Sequence, residues 1–372
     1  MRQYDAESPR YEPESLVMES AVRKLAHQAG LLVDTVIPAR SGDDHVRAGR
    51  FVYSLHRLLP GESLTWEQWP AFQWHRTVPE CLGGLQALWD ERVGRTTAGE
   101  LLALAPSAEW ARIGGQGDLN KALIETFVEQ SRIGPRLDLT GQTNAARVDW
   151  ATGVVEQHAA TWPRFARLFG LWSSRLRHWA AESGERRAGQ DAPWLQHGDP
   201  SPTNTFFLPQ VREWRAMGGI TDFELVRFAS YRSDLGVAGS LRLGDTPGGA
   251  ELRRVLAGME TDIPLDLRLL ERYLAGYQAM TRNQHDLSPD EIIAGLRSNV
   301  LGLALWSVQM MRAGHLDDMQ LAIYLATQLH RYMARRATPA REFHQAALRG
   351  CRAAAAIRQE IREKLSPATM GA

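Results

Sequence analysis

Cysteine is nearly missing from this chain. Cys81 and Cys351 are the only two in 372 residues, too few and too unpatterned for a disulfide framework or a zinc site. Lysine is scarcer than arginine to an unusual degree: of 43 basic residues only Lys24, Lys121 and Lys364 are lysine, a skew we attribute to coding bias. Net charge is missing too, with 43 Lys and Arg against 43 Asp and Glu. Composition therefore points to no nucleic acid and no anionic membrane surface as partner. No apolar run is long enough to span a bilayer and no signal peptide opens the chain, so the expected address is cytoplasmic. A phosphate-cradling glycine loop of the G-x-x-x-x-G-K-[ST] type is absent as well. Gly114, Gly115 and Gly117 follow no strand and lack that spacing, which predicts a turn. What is present is ordinary globular material, 44% hydrophobic and 23% charged, in a chain long enough for two lobes.

One stretch carries chemistry. WLQHGDPSPTNTFFL, residues 194–208, contains His197-Gly198-Asp199 and then Asn204; Asp222 follows in GGITDFE, residues 218–224. Two carboxylates and an amide oxygen at these spacings suit phosphoryl transfer. Asp199, on a loop, can accept a proton from an attacking hydroxyl, while Asn204 and Asp222 are hard oxygen ligands for magnesium. TFFL and GGITDF are short β-prone runs around a polar turn, and a hairpin between them would fold Asp222 back beside Asn204. Taken singly, His-Gly-Asp and the Pro-Ser-Pro-Thr that follows are also common loop chemistry.

In order and spacing, H-G-D-x-x-P-x-N followed by I-T-D-F-E and S-D-L-G resembles the aminoglycoside phosphotransferase and choline kinase-like family, relatives of the protein kinases. The resemblance implies an α+β bilobal protein kinase-like fold with a truncated N-lobe and a large, mostly helical C-lobe. It assigns Asp199 as catalytic base, Asn204 and Asp222 as magnesium ligands, His197 as structural support beneath the metal-binding aspartate, and Asp234 as a buried brace of the catalytic loop. It also implies ATP as co-substrate with Mg2+, and a small-molecule hydroxyl acceptor. Ser201 stands where the family often carries a basic residue, so that source of transition-state charge stabilisation is missing.

Residues 1–60 fit part of an N-lobe. PESLVMESAVRKLAHQAG predicts a helix with Leu16, Val17, Ala21 and Leu25 on its apolar face and Gly30 as its stop. VDTVIPAR and GRFVYSLHRL predict two strands separated by the turn SGDDH. On the resemblance, Arg2 occupies the place of a basic residue that contacts nucleotide phosphates, Glu19 is its partner on the helix, and residues 55–60 form the hinge beside adenine. Glu19 and Arg23, spaced i,i+4, would equally pair on a solvated helix face. The family's first two strands and glycine-rich loop fall before Arg2, where only Met1 stands.

Residues 61–372 read as the helical C-lobe with the catalytic loop and the metal-binding hairpin. CLGGLQALWDERV resembles the family's first C-lobe helix. Phe165, Leu168, Phe169, Trp172, Leu176 and Trp179 recur at helical spacing, which predicts a core stripe rather than a ligand box. PLDLRLLERYLAGYQAM is amphipathic, Ser288 and Glu291 form a capping-box pattern, and two helices are expected over 316–334 and 339–365 around Thr338-Pro339. In 251–272 acids alternate with arginines, so no uncompensated carboxylate surface for a polycation is visible. The expected function is ATP-dependent transfer of the γ-phosphate to a hydroxyl of a metabolite or antibiotic. The alternative is a pseudokinase-like binding protein without efficient transfer. Acceptor, preference for ATP or GTP, and oligomeric state are not encoded in any motif.

Overall fold

The structure, a computed structural model, describes residues 1–7, 12–63, 77–123, 144–182, 194–207, 217–223, 226–229, 248–265, 267–281, 301–311 and 316–365. The architecture is α+β and bilobal: a small antiparallel sheet with one helix, then a larger helical part into which short strand pairs are set. Asp234 and the Ser288–Glu291 pattern lie outside the described residues. No described helix is long and apolar enough to cross a membrane.

The first sheet has the order β1–β3–β2, where β1 is Arg2–Asp5, β2 is Val46–Ala48 and β3 is Phe51–Ser54. Arg2 pairs with Ser54 and Asp5 with Phe51; Val46 pairs with Tyr53 and Ala48 with Phe51. Gly49, at φ 62°, makes the tight reversal between β2 and β3, a conformation costly for residues with a Cβ. α1, Pro13–Gln28, starts with proline in its first turn and is followed by Gly30 at φ 78°, as the stop signal predicts. Leu16, Val17 and Ala21 are buried as expected, yet so are Glu19 and Arg23, on what would have been the solvated face.

The two-strand expectation for residues 33–58 needs correction. Phe51–Ser54 is a strand, paired with Arg2–Asp5 and Val46–Ala48, but VDTVIPAR forms no strand. That segment makes isolated bridges, Val33 with Ile220 and Val36 with His56, the second flanked by main-chain hydrogen bonds from Ile37 to Leu55 and from Arg57 to Thr35. Pro38 cannot donate to a ladder, and Asp34 is drawn into a cluster of arginines described below. The segment thus ties the first sheet to the hairpin that follows residues 197–204.

In the helical part, α2 (Thr77–Arg92) crosses α8 (Arg268–Met280) with backbone against backbone. A Cβ at Gly83 would lie 1.9 Å from the Tyr273 carbonyl oxygen, and one at Gly276 would lie 1.9 Å from that of Glu80. Between these lie the short helices α3 (Ala98–Ala103) and α4 (Leu119–Leu123), then α5 (Asn144–Gln157), α6 (Pro163–Glu182) and α7 (Gly249–Leu256). α3 opens on a capping box of Thr97 and Glu100. Gly114 and Gly117 sit in a turn, as read from their spacing. The aromatic stripe of α6 is core: Phe165, Leu168, Phe169, Trp172, Leu176 and Trp179 are all buried, and Trp179 stacks on Tyr332 at 4.6 Å. Residues 301–311 are helical. α9 (Asp318–Ala337), capped by Asp317 and Gln320, and α10 (Ala340–Leu365) are the last described helices, on either side of Thr338-Pro339.

Candidate active site

Two strand pairs place the motif. β5 (Trp194–Gln196) leads into His197 and pairs with β8 (Arg227–Ala229), with Gln196 opposite Arg227. β6 (Thr205–Phe207) leaves the loop after a 3-10 turn, Pro202–Asn204, and pairs with β7 (Met217–Ile220). β4 (Glu62–Ser63) lies on the other side of β6. The loop 197–204 is thus held at both ends, by β5 and by β6. The turn 221–223 is held at both ends by their respective partners.

The register brings the expected residues together. Thr205 faces Ile220, and one step further the Thr221 N–H donates to the Asn204 carbonyl at 3.0 Å, which puts Asp222 next to Asn204. The Asn204 side-chain amide donates to the Asp199 carboxylate at 3.0 Å and to its carbonyl at 3.1 Å. With the nitrogen so engaged, the amide oxygen is the atom Asn204 has for a cation. Asp222 is the one non-glycine residue with positive φ among those described, at 68°. Aspartate tolerates this left-handed conformation better than most residues, but it still has to be held there by its surroundings. Burial pushes its carboxyl above the usual range; Arg2 opposes that shift, while the charges of Glu19 and Asp199 add to it. A half-buried carboxylate beside a second one is a place where a cation is favoured.

His197 is fully inside the fold. Its Nε2 lies 3.1 Å from the Thr221 carbonyl and its Nδ1 accepts from the Asp199 N–H at 3.3 Å. These partners require a proton on Nε2 and none on Nδ1, a neutral ring. Burial drives its pKa down to about 4, in agreement. The ring also lies 5.6 Å from Trp89 and 5.1 Å from Phe223. Trp89 in turn donates from Nε1 to the Leu195 carbonyl at 2.9 Å, so α2 carries the floor of the loop. Ser201 is turned inward, 1% exposed and bonded to Thr203, and supplies no charge at that position.

Above the turn lies a buried ionic cluster. Arg2 reaches Glu19 at 3.4 Å and the Thr221 hydroxyl at 3.3 Å. Arg23 reaches the same Glu19 oxygen at 2.9 Å and Asp34 at 3.2 Å. Asp34 also meets His56 at 3.2 Å and Arg2 at 3.8 Å. Burial works against the Asp34 charge, but the hydrogen bond from His56 and the two arginines outweigh it and hold the carboxyl below its usual range. The Arg2–Glu19 contact expected from the resemblance is therefore present. So is the Glu19–Arg23 pair, though inside the protein rather than on a solvated face.

Solved structures with an overall likeness to the chain include three kinases. The microcompartment-associated aminopropanol kinase is 18% identical, over 94% of this chain and 87% of that one, with a TM-score of 0.45. An aminoglycoside phosphotransferase from Alicyclobacillus acidocaldarius is 16% identical, over 95% and 85%, with a TM-score of 0.44. The amicoumacin kinase hAmiN in complex with AMP-PNP, Ca2+ and Ami is 14% identical, over 90% and 82%, with a TM-score of 0.48. The chain is similar to small-molecule kinases. No family model and no curated protein sequence matches it. At such identities the likeness concerns overall fold, and the chemistry has to come from the residues themselves.

Sequence reasoning missed several members of this site. Arg23 was visible only as the i+4 partner of Glu19, and nothing marked it as buried. Asp34 and His56 sit in segments without motif, and Trp89 was one of 12 tryptophans. Their shared signal, a charged or large side chain amid apolar neighbours, exists only after folding. Among the described residues no group of three or more His, Cys, Asp and Glu gathers to hold a metal ion. Asp222 and the Asn204 oxygen form a smaller set, of the kind magnesium uses when phosphates and water complete its shell.

Proposed function

We propose that the chain is a nucleotide-dependent phosphotransferase acting on a hydroxyl of a small molecule. The observation that carries this reading is the β6–β7 register, which places Asp222 beside Asn204 while Asn204 holds the Asp199 carboxylate. Asp199 accepts the proton of the acceptor hydroxyl as its oxygen bonds to the terminal phosphorus. The bond from that phosphorus to the bridging oxygen breaks, and its electron pair leaves with the nucleoside diphosphate. Asn204 and Asp222 are the residues that would hold magnesium, which when bound neutralises phosphate charge. Arg2, half-buried and held by Glu19 and Thr221, is the cation available to the phosphates. His197 is support: its neutral ring fixes the Asp199 N–H and the Thr221 carbonyl, so base and metal turn keep one spacing. Most of the rate then comes from positioning and charge complementarity.

The test is a phosphate-transfer assay with ATP or GTP, magnesium and a panel of amino-alcohol, aminoglycoside and other hydroxylated acceptors, on the full chain and on Asp199→Ala. Transfer that disappears in the variant is the expected result. No transfer to any acceptor together with no magnesium-dependent nucleotide binding would overturn the reading, as would full turnover by Asp199→Ala.

A further inference from the structure

Phe223, the residue after Asp222, is boxed in on three sides. Trp89 stacks on it at 6.0 Å with planes 21° apart, His197 lies 5.1 Å away, and the Arg23 guanidinium covers it at 5.2 Å. Trp89 and His197 belong to the catalytic-loop side of the fold. Arg23 comes from α1, on the other lobe. Its planar group is not free to drift. Nη2 is bonded to Glu19 and Nε to Asp34, and the side chain is 2% exposed. An arginine buried this far needs both carboxylates to offset lost hydration, and with both in place its plane is set.

We propose that Arg23 is a positioning residue for the metal turn: fixed by Glu19 and Asp34, its guanidinium clamps Phe223 and so keeps Asp222 in its left-handed conformation facing Asn204. The inference rests on the reading of Asp222 as a metal ligand only for its functional consequence; the clamp itself is a property of the nucleotide-free protein. Glu19 has two cationic partners of different kinds. Arg23 is sealed in and orients the carboxylate, and Arg2 is 32% exposed in its side chain and remains open to a ligand. Movement of α1 would then reach the metal turn through Arg23 and the phosphate-facing cation through Glu19 together.

The experiment uses Arg23→Lys, which keeps the charge but loses the flat face and the second hydrogen bond, alongside Phe223→Leu and the double variant. Hydrogen exchange is followed in the nucleotide-free protein at residues 219–223, where the Thr221 N–H is held by Asn204. Arg23→Lys should speed exchange there by about tenfold or more while amides of α8 stay unchanged, a local rather than global opening. Magnesium-dependent ATP affinity should fall about tenfold in each single variant and no further in the double, because both remove the same contact. Binding of ATP in chelator should barely move, since the charge near the phosphates is retained. Unchanged exchange at 219–223 in Arg23→Lys, or strictly additive losses in the double variant, would overturn the proposal. If exchange responds as expected but the parent chain binds no Mg-ATP, the phosphotransferase reading falls and the clamp stands.

Discussion

Asn204 binds Asp199 twice, through the carboxylate at 3.0 Å and through the main-chain carbonyl at 3.1 Å, with one side-chain nitrogen. The two residues therefore act as one unit, in which the amide nitrogen holds the Asp199 carboxylate and leaves the amide oxygen for another partner. Removing either should have different kinetic consequences. Asp199→Ala should lower turnover by about 10²–10⁴-fold with little change in nucleotide affinity, because a base acts mainly in the transition state. Asn204→Ala should lower turnover and magnesium affinity together. Steady-state kinetics over a magnesium titration separates the two patterns.

Asp222 is expected to destabilise the protein slightly when no cation is present. Its folded-state carboxyl titrates above the usual range because burial disfavours its charge. At neutral pH the native state therefore carries a charge that it would rather shed. Asp222→Asn removes that cost and, since asparagine also tolerates positive φ, keeps the backbone. The melting temperature without metal should stay level or rise, and the extra stabilisation brought by Mg-ATP should vanish. Differential scanning calorimetry with and without Mg-ATP checks both halves; a large loss of stability without metal would contradict the argument.

Stability should fall on the acid side in two stages. His197 is neutral and buried, with a folded pKa of about 4 against an ordinary 6.5. Between these values the unfolded chain binds a proton that the native state refuses, so stability declines as pH drops from about 6.5 to about 4, by about 3 kcal/mol at most. Asp34 adds a second stage lower down. Its folded carboxyl lies below the unfolded value, so its contribution is present above the unfolded pKa and is lost as pH falls through the folded one. Urea titrations over this pH range measure the slope. His197→Gln should flatten the upper stage and leave the lower one.

The crossing of α2 and α8 has no room for a methyl group at either glycine. Gly83→Ala or Gly276→Ala would drive a Cβ into a backbone carbonyl of the opposite helix, and backbone cannot swing aside as a side chain can. Each should cost about 1–3 kcal/mol or more by overpacking. Because α2 also carries Trp89, the loop 197–204 should loosen with it. Thermal melts report the first effect, and hydrogen exchange over 194–204 the second.

How much of this was legible beforehand follows from the range of the interactions. The candidate base and ligands, the hairpin between them, the core stripe of α6 and the ends of α9 and α10 depend on local spacing: turn residues, alternation, helical period and caps. Such signals are written in neighbouring residues; the β6–β7 pairing, the buried stripe of α6 and the two helices around Thr338-Pro339 are present in the structure. VDTVIPAR was expected as a strand because it is β-prone, yet it makes isolated bridges: Pro38 has no N–H to give a ladder, and Asp34 is held by Arg2, Arg23 and His56. Whether the Glu19–Arg23 pair lies in water or in the core was likewise undecided at i,i+4 spacing, since the same pair forms in either place. Packing of α1 against the turn 221–223, with Arg23 over Phe223, puts it inside. Chemistry-bearing residue types can be read from order along the chain. Their ionic surroundings cannot, because burial and long-range charge pairing exist only once distant segments meet.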